Sequence, residues 1–135
     1  MAMPKHKVFL SYSHREGAWA KEFAKALADR GLDVWFDEYS VAAGEPLADA
    51  IERGLRESDI FVTVIDPALV ASPSLLFEVG AALGMGKKIV AVVPKDFDAS
   101  QLPHALRVRR YLVKDSPQDT ADELAASEEP RALGA

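Results

Sequence analysis

The chain contains no cysteine, and this absence excludes several kinds of site at once. Without thiols there is no disulfide framework, no thiolate-ligated metal and no cysteine nucleophile. The absence also fits a reducing compartment, so we expect a cytoplasmic protein. The N-terminus, MAMPKHKVFLSYS, passes straight into a strand-like run, without the apolar segment and cleavage site of a signal peptide.

Long apolar runs and excess positive charge are also missing. No uninterrupted apolar segment is long enough to cross a bilayer, so we expect no contact with membranes. The 135 residues carry 16 Lys and Arg against 21 Asp and Glu, a net charge of −5. Because binding to nucleic-acid phosphates needs a basic face, this balance argues against a nucleic-acid binder. The length suits one domain with a real core.

Several familiar catalytic motifs are absent as well. The turn after the first predicted strand reads SYSHREG, which is neither a glycine-rich dinucleotide fingerprint nor a P-loop. His6, His14 and His104 lack metal-ligand spacing, so no metal or bound cofactor is expected, and no Gly-x-Ser-x-Gly elbow indicates a serine hydrolase. Asp66 ends a strand like a phosphoacceptor, but the first strand supplies no acidic metal ligands, so we interpret Asp66-Pro67 as a turn.

Short apolar runs alternate with helical patterns along the whole chain, which is typical of repeated βα units. The predicted strands are residues 7–12, 32–36, 59–66, 87–94 and 109–114. Ser13 and Glu16 predict a capping box that opens the first helix, and Gly31 predicts its end. The predicted fold class is therefore α/β: a single flavodoxin-like domain, with a five-stranded parallel sheet and helices on both faces.

We expect the domain to span residues 7–126, with an N-terminal extension at 1–6 and a flexible tail at 127–135. In sheets of this kind, ligands bind at the carboxyl ends of the strands, near the switch point between the first and third. The sequence brings residues 11–15, residues 37–45 and Asp66 to that edge.

One carboxylate stands alone in the helix predicted after the third strand. In PALVASPSLLFEVGAALGMG, residues 67–86, Glu78 is the only charged residue, and it lies beyond the first turn, where the helix dipole acts. The predicted core stripe of this helix is Leu76, Val79, Gly80 and Leu83. Glu78 then lies on another face, where the small Ser74 and Ala81 leave a recess. The pattern alone leaves open a carboxylate facing a cavity and an ordinary solvated glutamate.

Three stretches together, VFLSYSHREGAWAKEFAKALADRGLDVWFDEYSVAAGEPL, AIERGLRESDIFVTVID and SPSLLFEVGAAL, resemble Toll/interleukin-1 receptor (TIR) domains of the bacterial type. FLSYS is similar to the first box of the family. VWFDEYSVAAGEPL is similar to its second strand and long loop, whose glycine, here Gly44, precedes the next helix. The resemblance spans about Lys7 to Leu124 and implies the same five-stranded parallel sheet.

Many TIR domains cleave NAD+ at the nicotinamide glycosidic bond, using a glutamate in a pattern like S-x-W-x-x-x-E. That register falls on Ser72 and Glu78, with Ser74 where the family often has Trp, so the resemblance implies that Glu78 is catalytic. NAD+ is then the substrate and not a cofactor. By the same resemblance, the residues that bind it are Tyr12, Ser13, His14, Arg15, Asp37, Tyr39, Ser40 and Ser74.

A single acid suits this chemistry, because the pyridinium leaves as neutral nicotinamide and needs no proton from a second carboxyl group. TIR enzymes commonly act as assemblies, and the implied assembly loop contains Val41, Gly44, Glu45 and Pro46. The resemblance thus implies a self-associating NAD+ hydrolase or ADP-ribosyl cyclase of bacterial defence or virulence. The alternative is a non-catalytic signalling scaffold that binds other TIR domains, which Ser74 in place of Trp favours.

Overall fold

The structure, a computed structural model, describes residues 6–36, 47–70, 73–107 and 111–128. In this part of the chain, five strands alternate with five α-helices. The strands are β1 (Lys7–Ser11), β2 (Asp33–Phe36), β3 (Ile60–Val64), β4 (Lys88–Val93) and β5 (Leu112–Val113). The helices are α1 (Gly17–Asp29), α2 (Leu47–Glu57), α3 (Pro73–Gly84), α4 (His104–Arg107) and α5 (Pro117–Glu128).

All five strands are parallel and lie in the order β2-β1-β3-β4-β5. The chain steps from β1 outward to β2 and then returns to the other side of β1 to form β3. The switch point therefore falls between β1 and β3, as it does in other doubly wound sheets of this order. This arrangement confirms the predicted flavodoxin-like sheet.

One face of the sheet is covered by α1 and α5. Val8 and Leu10 of β1 share an apolar core with Phe23 of α1 and Leu124 of α5, and all four side chains are fully buried. The two helices also pack along each other. Because side chains alternate along a strand, these contacts fix which residues of β1 face the other side.

The opposite face carries α2 and α3. Phe9 of β1 and Phe61 of β3 stack there, with ring centroids 5.6 Å apart, and Val79 of α3 packs in the same core. Strand alternation puts Ser11 on this face, two residues after Phe9. Its partner in register on β3 is Thr63, which is also buried. Two hydroxyl residues therefore lie at or next to the ends of their strands, on the side that α3 covers.

The start of α1 differs from the predicted capping box. A 3₁₀ turn, His14–Glu16, precedes the helix, and the Ser13 side chain makes no capping hydrogen bond. Ser13 Oγ instead donates to Asp66 Oδ2 at 2.8 Å, and Glu16 Oε2 accepts from Lys114 Nζ at 2.7 Å. The capping-box prediction was wrong because partners distant in sequence compete for both side chains.

The face of α3 that meets the sheet also differs from the prediction. Leu76 and Leu83 of the predicted core stripe are 48% and 38% exposed, and Gly80 is exposed too, whereas Glu78 is only 4% exposed. Val79 is buried as predicted. The helix is apolar almost all round, so the spacing of its apolar residues does not tell which face meets the sheet.

The first four predicted strands were one to three residues too long, an error typical of element ends, and residues 109–110 of the fifth lie outside the described residues. Ser116 caps the start of α5, since its Oγ accepts a hydrogen bond from the Asp119 backbone amide at 3.0 Å. The domain limits stay predictions, because residues 1–5 and 129–135 lie outside the described residues. Among the described helices, none combines the length and apolar character that spanning a bilayer requires.

Candidate functional site

Glu78 and Ser11 meet at the carboxyl end of β1. Ser11 Oγ donates a hydrogen bond to Glu78 Oε1 at 2.7 Å, and both residues are buried. They are 67 positions apart in the chain, so this bond ties α3 to the end of β1. A carboxylate removed from water is costly unless it is hydrogen-bonded, and a bond from a hydroxyl to an ionised oxygen is stronger than one between neutral groups.

The local fold explains why this carboxylate reaches the edge of the sheet. Val79 and Ala82 of α3 are buried in the core beside the sheet, and Glu78, one turn before Ala82, shares their face. Long helical side chains lean toward the N-terminus of their helix. The N-terminus of α3 follows β3 and lies at the carboxyl edge of the sheet, so the side chain of Glu78 leans toward the switch point.

A second polar cluster surrounds Asp66, two residues after the end of β3. Arg15 donates two hydrogen bonds to the Asp66 carboxylate, from Nε at 3.1 Å and from a terminal nitrogen at 2.5 Å. The carboxylate also accepts hydrogen bonds from Ser13 Oγ at 2.8 Å and from the Ala68 backbone amide at 2.9 Å. The Arg15 hydrogen bond is the main reason why the pKa of Asp66 is lowered to about 2, while burial acts in the opposite direction. Asp66 is therefore ionised at neutral pH.

This cluster changes the interpretation of Arg15 and Asp66. The sequence predicted Asp66 as a turn, and its bond from Ala68 confirms that, but the ion pair with Arg15 was missed. Arg15 binds the carboxylate with two nitrogens, which is the geometry that suits a guanidinium. Its side chain is still 68% exposed, so one surface of the guanidinium faces solvent while its charge is paired with Asp66.

Tyr12 and His14 lie beside these clusters. Tyr12 is half-buried and packs against the core under α1 and α5, on the side of the sheet opposite Phe9. His14 is exposed in the 3₁₀ turn. The structure thus brings Ser11 to Glu78 on one side of β1 and directs Tyr12 to the other, as strand alternation requires.

The remaining predicted site residues are not tested. Those that lie outside the described residues are Asp37, Tyr39, Ser40, Val41, Gly44, Glu45 and Pro46. Ser74 belongs to α3, but its side chain is not described. In the described ranges, no group of three His, Cys, Asp or Glu residues is placed to hold a metal ion.

Sequence reasoning missed Ser11 as a partner of Glu78, although a signal was present. A serine ends the apolar run of β1, and alternation from Phe9 directs it toward the helix that follows β3. A hydroxyl in such a place needs a hydrogen-bond partner, and Glu78 is the charged residue of that helix. Predicting this hydrogen bond requires knowing which face of α3 meets the sheet, and the spacing of the apolar residues does not show that face.

The comparison with protein families settles the affiliation of this fold. A family profile described as TIR domain matches residues 8–127. The chain belongs to the TIR domain family. The match runs from the second residue of β1 through β5 and includes both polar clusters, so the resemblance carried by FLSYS and the loop after β2 is confirmed.

Curated relatives of this TIR domain include named enzymes. Over 61 residues it is 33% identical to an NAD(+) hydrolase of a Theionarchaea archaeon, covering 44% of this chain and 18% of the relative. Over 50 residues it is 32% identical to a 2' cyclic ADP-D-ribose synthase of Bacteroides thetaiotaomicron, covering 37% of this chain and 17% of the relative. The aligned part is thus less than a fifth of the length of either relative.

Solved structures share the fold at low sequence identity. The TIR domain of a Toll-related receptor from Hydra magnipapillata has a TM-score of 0.67 and 16% identity, over 78% of this chain and 82% of that chain. A TIR-STING receptor from C. gigas has a TM-score of 0.74 and 21% identity, over 89% and 38%. A CMP N-glycosidase from Clostridium botulinum has a TM-score of 0.61 and 20% identity, over 87% and 97%.

Proposed function

We propose that this TIR domain cleaves NAD+ at the bond between nicotinamide and ribose, with Glu78 as the catalytic residue. The observation that carries the proposal is the buried Glu78 carboxylate at the carboxyl edge of β1, hydrogen-bonded to Ser11 Oγ at 2.7 Å. Family membership and the curated relatives named as an NAD(+) hydrolase and a 2' cyclic ADP-D-ribose synthase support it.

The chemistry needs one negative group more than it needs an acid. When the glycosidic bond breaks, its electron pair leaves with the pyridinium, which becomes neutral nicotinamide, and positive charge develops on the ribose. The Glu78 carboxylate would stabilise that charge, and the interaction is stronger in a site with little water. Water then adds to the ribose carbon and loses a proton, giving ADP-ribose, or a hydroxyl of the same molecule adds and gives a cyclic product.

The sequence around Glu78 suits this role. Across residues 67–86, which include the whole of α3, no other residue carries a charge. No lysine or arginine of that helix therefore weakens the negative potential of the carboxylate at helical spacing. Its apolar neighbours on the helix also reduce the screening that bulk water gives to charges.

We further propose that substrate recognition involves His14 and the solvent-facing surface of Arg15 at the same edge. Asp37, Tyr39, Ser40 and Ser74 join them on the family pattern. Self-association through residues 41–46, in the cytoplasm, would complete the active form. Both His14 and Arg15 are exposed in the turn after β1, which supports contact with an anionic ligand.

The second candidate is a non-catalytic scaffold that associates with other TIR domains. One observation favours it: large apolar side chains are exposed on and just after α3. They are Leu76, Phe77, Leu83 and Met85, which are 48%, 53%, 38% and 37% exposed. Several large apolar side chains exposed on one helix are a feature of protein-protein contact sites. A scaffold associates without releasing nicotinamide.

The deciding experiment measures nicotinamide release from NAD+ by concentrated protein. The wild type is compared with Glu78→Gln, whose neutral amide keeps the shape of the side chain and can still accept the bond from Ser11. Glu123→Gln is the matched control, because Glu123 is exposed on α5. We expect equal rates for wild type and control, and a loss on the order of 100-fold for Glu78→Gln.

Two outcomes would contradict the proposal in different ways. Equal turnover by wild type and Glu78→Gln would remove Glu78 from the mechanism. Association of the wild-type chain without any nicotinamide release, across the protein concentrations at which it assembles, would favour the scaffold. Circular dichroism of each variant shows that a lost activity is not a lost fold.

A further inference from the structure

A buried serine at the end of a strand calls for an explanation. Ser11 is 6% exposed and closes β1, whose preceding residues Val8, Phe9 and Leu10 are fully buried apolar side chains. A hydroxyl gains nothing from an apolar core, and leaving it without a partner costs free energy. Its partner here is the Glu78 carboxylate at 2.7 Å. The bond therefore pairs the Ser11 hydroxyl with one oxygen of the buried Glu78 carboxylate.

The bond also restricts the carboxylate. A glutamate side chain has three rotatable bonds, and a hydroxyl held by a β-strand fixes where one of its oxygens lies. Ser11 is held in turn by parallel pairing with β3, where it aligns with Thr63. The donor therefore belongs to a strand that is paired with a neighbour on both sides, β2 and β3. A group positioned in this way needs no reorganisation when charge develops beside it.

A hydroxyl is also a suitable kind of donor for this place. It stabilises the ionised carboxylate by donating a hydrogen bond, but it brings no positive charge of its own. Arg15 differs in this respect at Asp66, because its hydrogen bonds also bring a positive charge to the carboxylate. The Ser11 bond can therefore steady Glu78 without reducing its attraction for a positively charged ribose.

We propose that Ser11 is a positioning residue for NAD+ cleavage: its hydroxyl holds the Glu78 carboxylate in the orientation that stabilises positive charge on the ribose. This inference rests on the proposed function. Ser11 acts through Glu78, so it affects the rate of bond cleavage more than the binding of NAD+.

The test compares Ser11→Ala, which removes the hydroxyl, with Ser11→Thr, which keeps a hydroxyl on the same carbon. Ser58→Ala is the matched control. Ser58 is also a buried serine, 1% exposed, and its Oγ donates to the Gly54 carbonyl at 2.6 Å. It precedes β3 and so lies at the opposite, amino edge of the sheet. Both alanine variants therefore remove one buried hydroxyl and one hydrogen bond.

We expect Ser11→Ala to lower kcat about tenfold or more, since a misplaced catalytic group costs rate, while KM changes by less than about twofold. Ser11→Thr should recover most of the lost kcat. Ser58→Ala should leave kcat unchanged even if its unfolding midpoint falls as far as that of Ser11→Ala. A loss of kcat in Ser11→Ala but not in Ser58→Ala, at a similar loss of stability, distinguishes a positioning role from a general loss of structure.

A double variant adds an independent check. If Ser11 acts through the carboxylate, then Ser11→Ala should cause no further loss of kcat in the Glu78→Gln background, because residues that act as a unit are not additive. A further tenfold loss in that background would mean that Ser11 acts through another group and would overturn the inference.

The failure of this inference differs from the failure of the proposed function. Wild-type kcat in Ser11→Ala, together with an inactive Glu78→Gln, would overturn the role of Ser11 and leave Glu78 in place. A loss of kcat in Ser11→Ala that Ser11→Thr does not recover, in a folded variant, would also overturn it. No nicotinamide release by the wild-type chain would overturn both.

Discussion

Replacement of Asp66 by asparagine tests whether its ion pair with Arg15 holds the loop after β1 against β3. The pKa of Asp66 falls from 3.8 to about 2 in the folded chain. At 1.36 kcal/mol for each pKa unit, that shift stabilises the fold by about 2 kcal/mol. Since the Arg15 side chain is 68% exposed, solvent screens part of the interaction, and this figure is an upper estimate.

The sign of the pH dependence follows from the direction of the shift. A carboxylate with a lowered pKa stabilises the fold fully above its unfolded value, and the stabilisation is lost as pH falls through the folded value. The contribution of Asp66 should therefore be complete above about pH 5 and should disappear progressively toward pH 2. Asp66→Asn has no charge to lose, so the gap in unfolding free energy between wild type and variant should narrow over that range.

The assay is urea unfolding at several pH values between 2 and 7, because urea, unlike guanidinium, adds no salt. Asp122→Asn is the control: Asp122 pairs with Arg30 Nε at 2.5 Å, but its side chain is 64% exposed. Exposed pairs of this kind contribute about 0 to 1 kcal/mol. A gap between wild type and Asp66→Asn that stays constant from pH 5 to pH 2 would refute the reasoning.

Two further predictions concern glycines, and thermal unfolding measures both. In Gly54→Ala, the new Cβ would lie 2.7 Å from the Trp35 ring and 2.8 Å from that of Phe9, so we expect a loss of about 1 to 3 kcal/mol. Gly80→Ala, with nothing within 4 Å, should be neutral or stabilising by up to about 1 kcal/mol, and equal effects at the two sites would contradict the packing argument. Gly31 follows α1 with φ of +88°, so Gly31→Ala should destabilise by about 1 kcal/mol through backbone strain alone. An unchanged unfolding midpoint for Gly31→Ala would show that the backbone relaxes there.

The order of elements could be predicted from the sequence because each central strand has a distinct pattern. β3 is buried at every position, and the run from Ile60 to Val64 is correspondingly apolar apart from Thr63. Such a strand, covered on both faces, requires helices on both sides of the sheet. Parallel pairing and the switch point then follow from βα alternation, without knowledge of any single contact.

The side-chain contacts of the site could not be predicted in the same way. Ser13 and Glu16 fit a local capping box, yet their bonds go to Asp66 and Lys114, which are 53 and 98 positions away. Local spacing contains no information about such partners. The face of α3 was misjudged for a related reason, because a helix that is apolar all round gives no moment to orient it.

The two polar clusters stabilise the same edge of the sheet from different directions. Ser11 ties the end of β1 to α3 through Glu78, and Ser13 and Arg15 tie the following turn to the end of β3 through Asp66. The short segment from residue 11 to residue 15, which lies at the switch point, is thus held at one end by Glu78 and at the other by Asp66. Asp66 is paired with a cation, so its charge serves the structure. The Ser11 bond to Glu78 brings no cation, which is the arrangement that a carboxylate needs if it is to meet positive charge on a substrate.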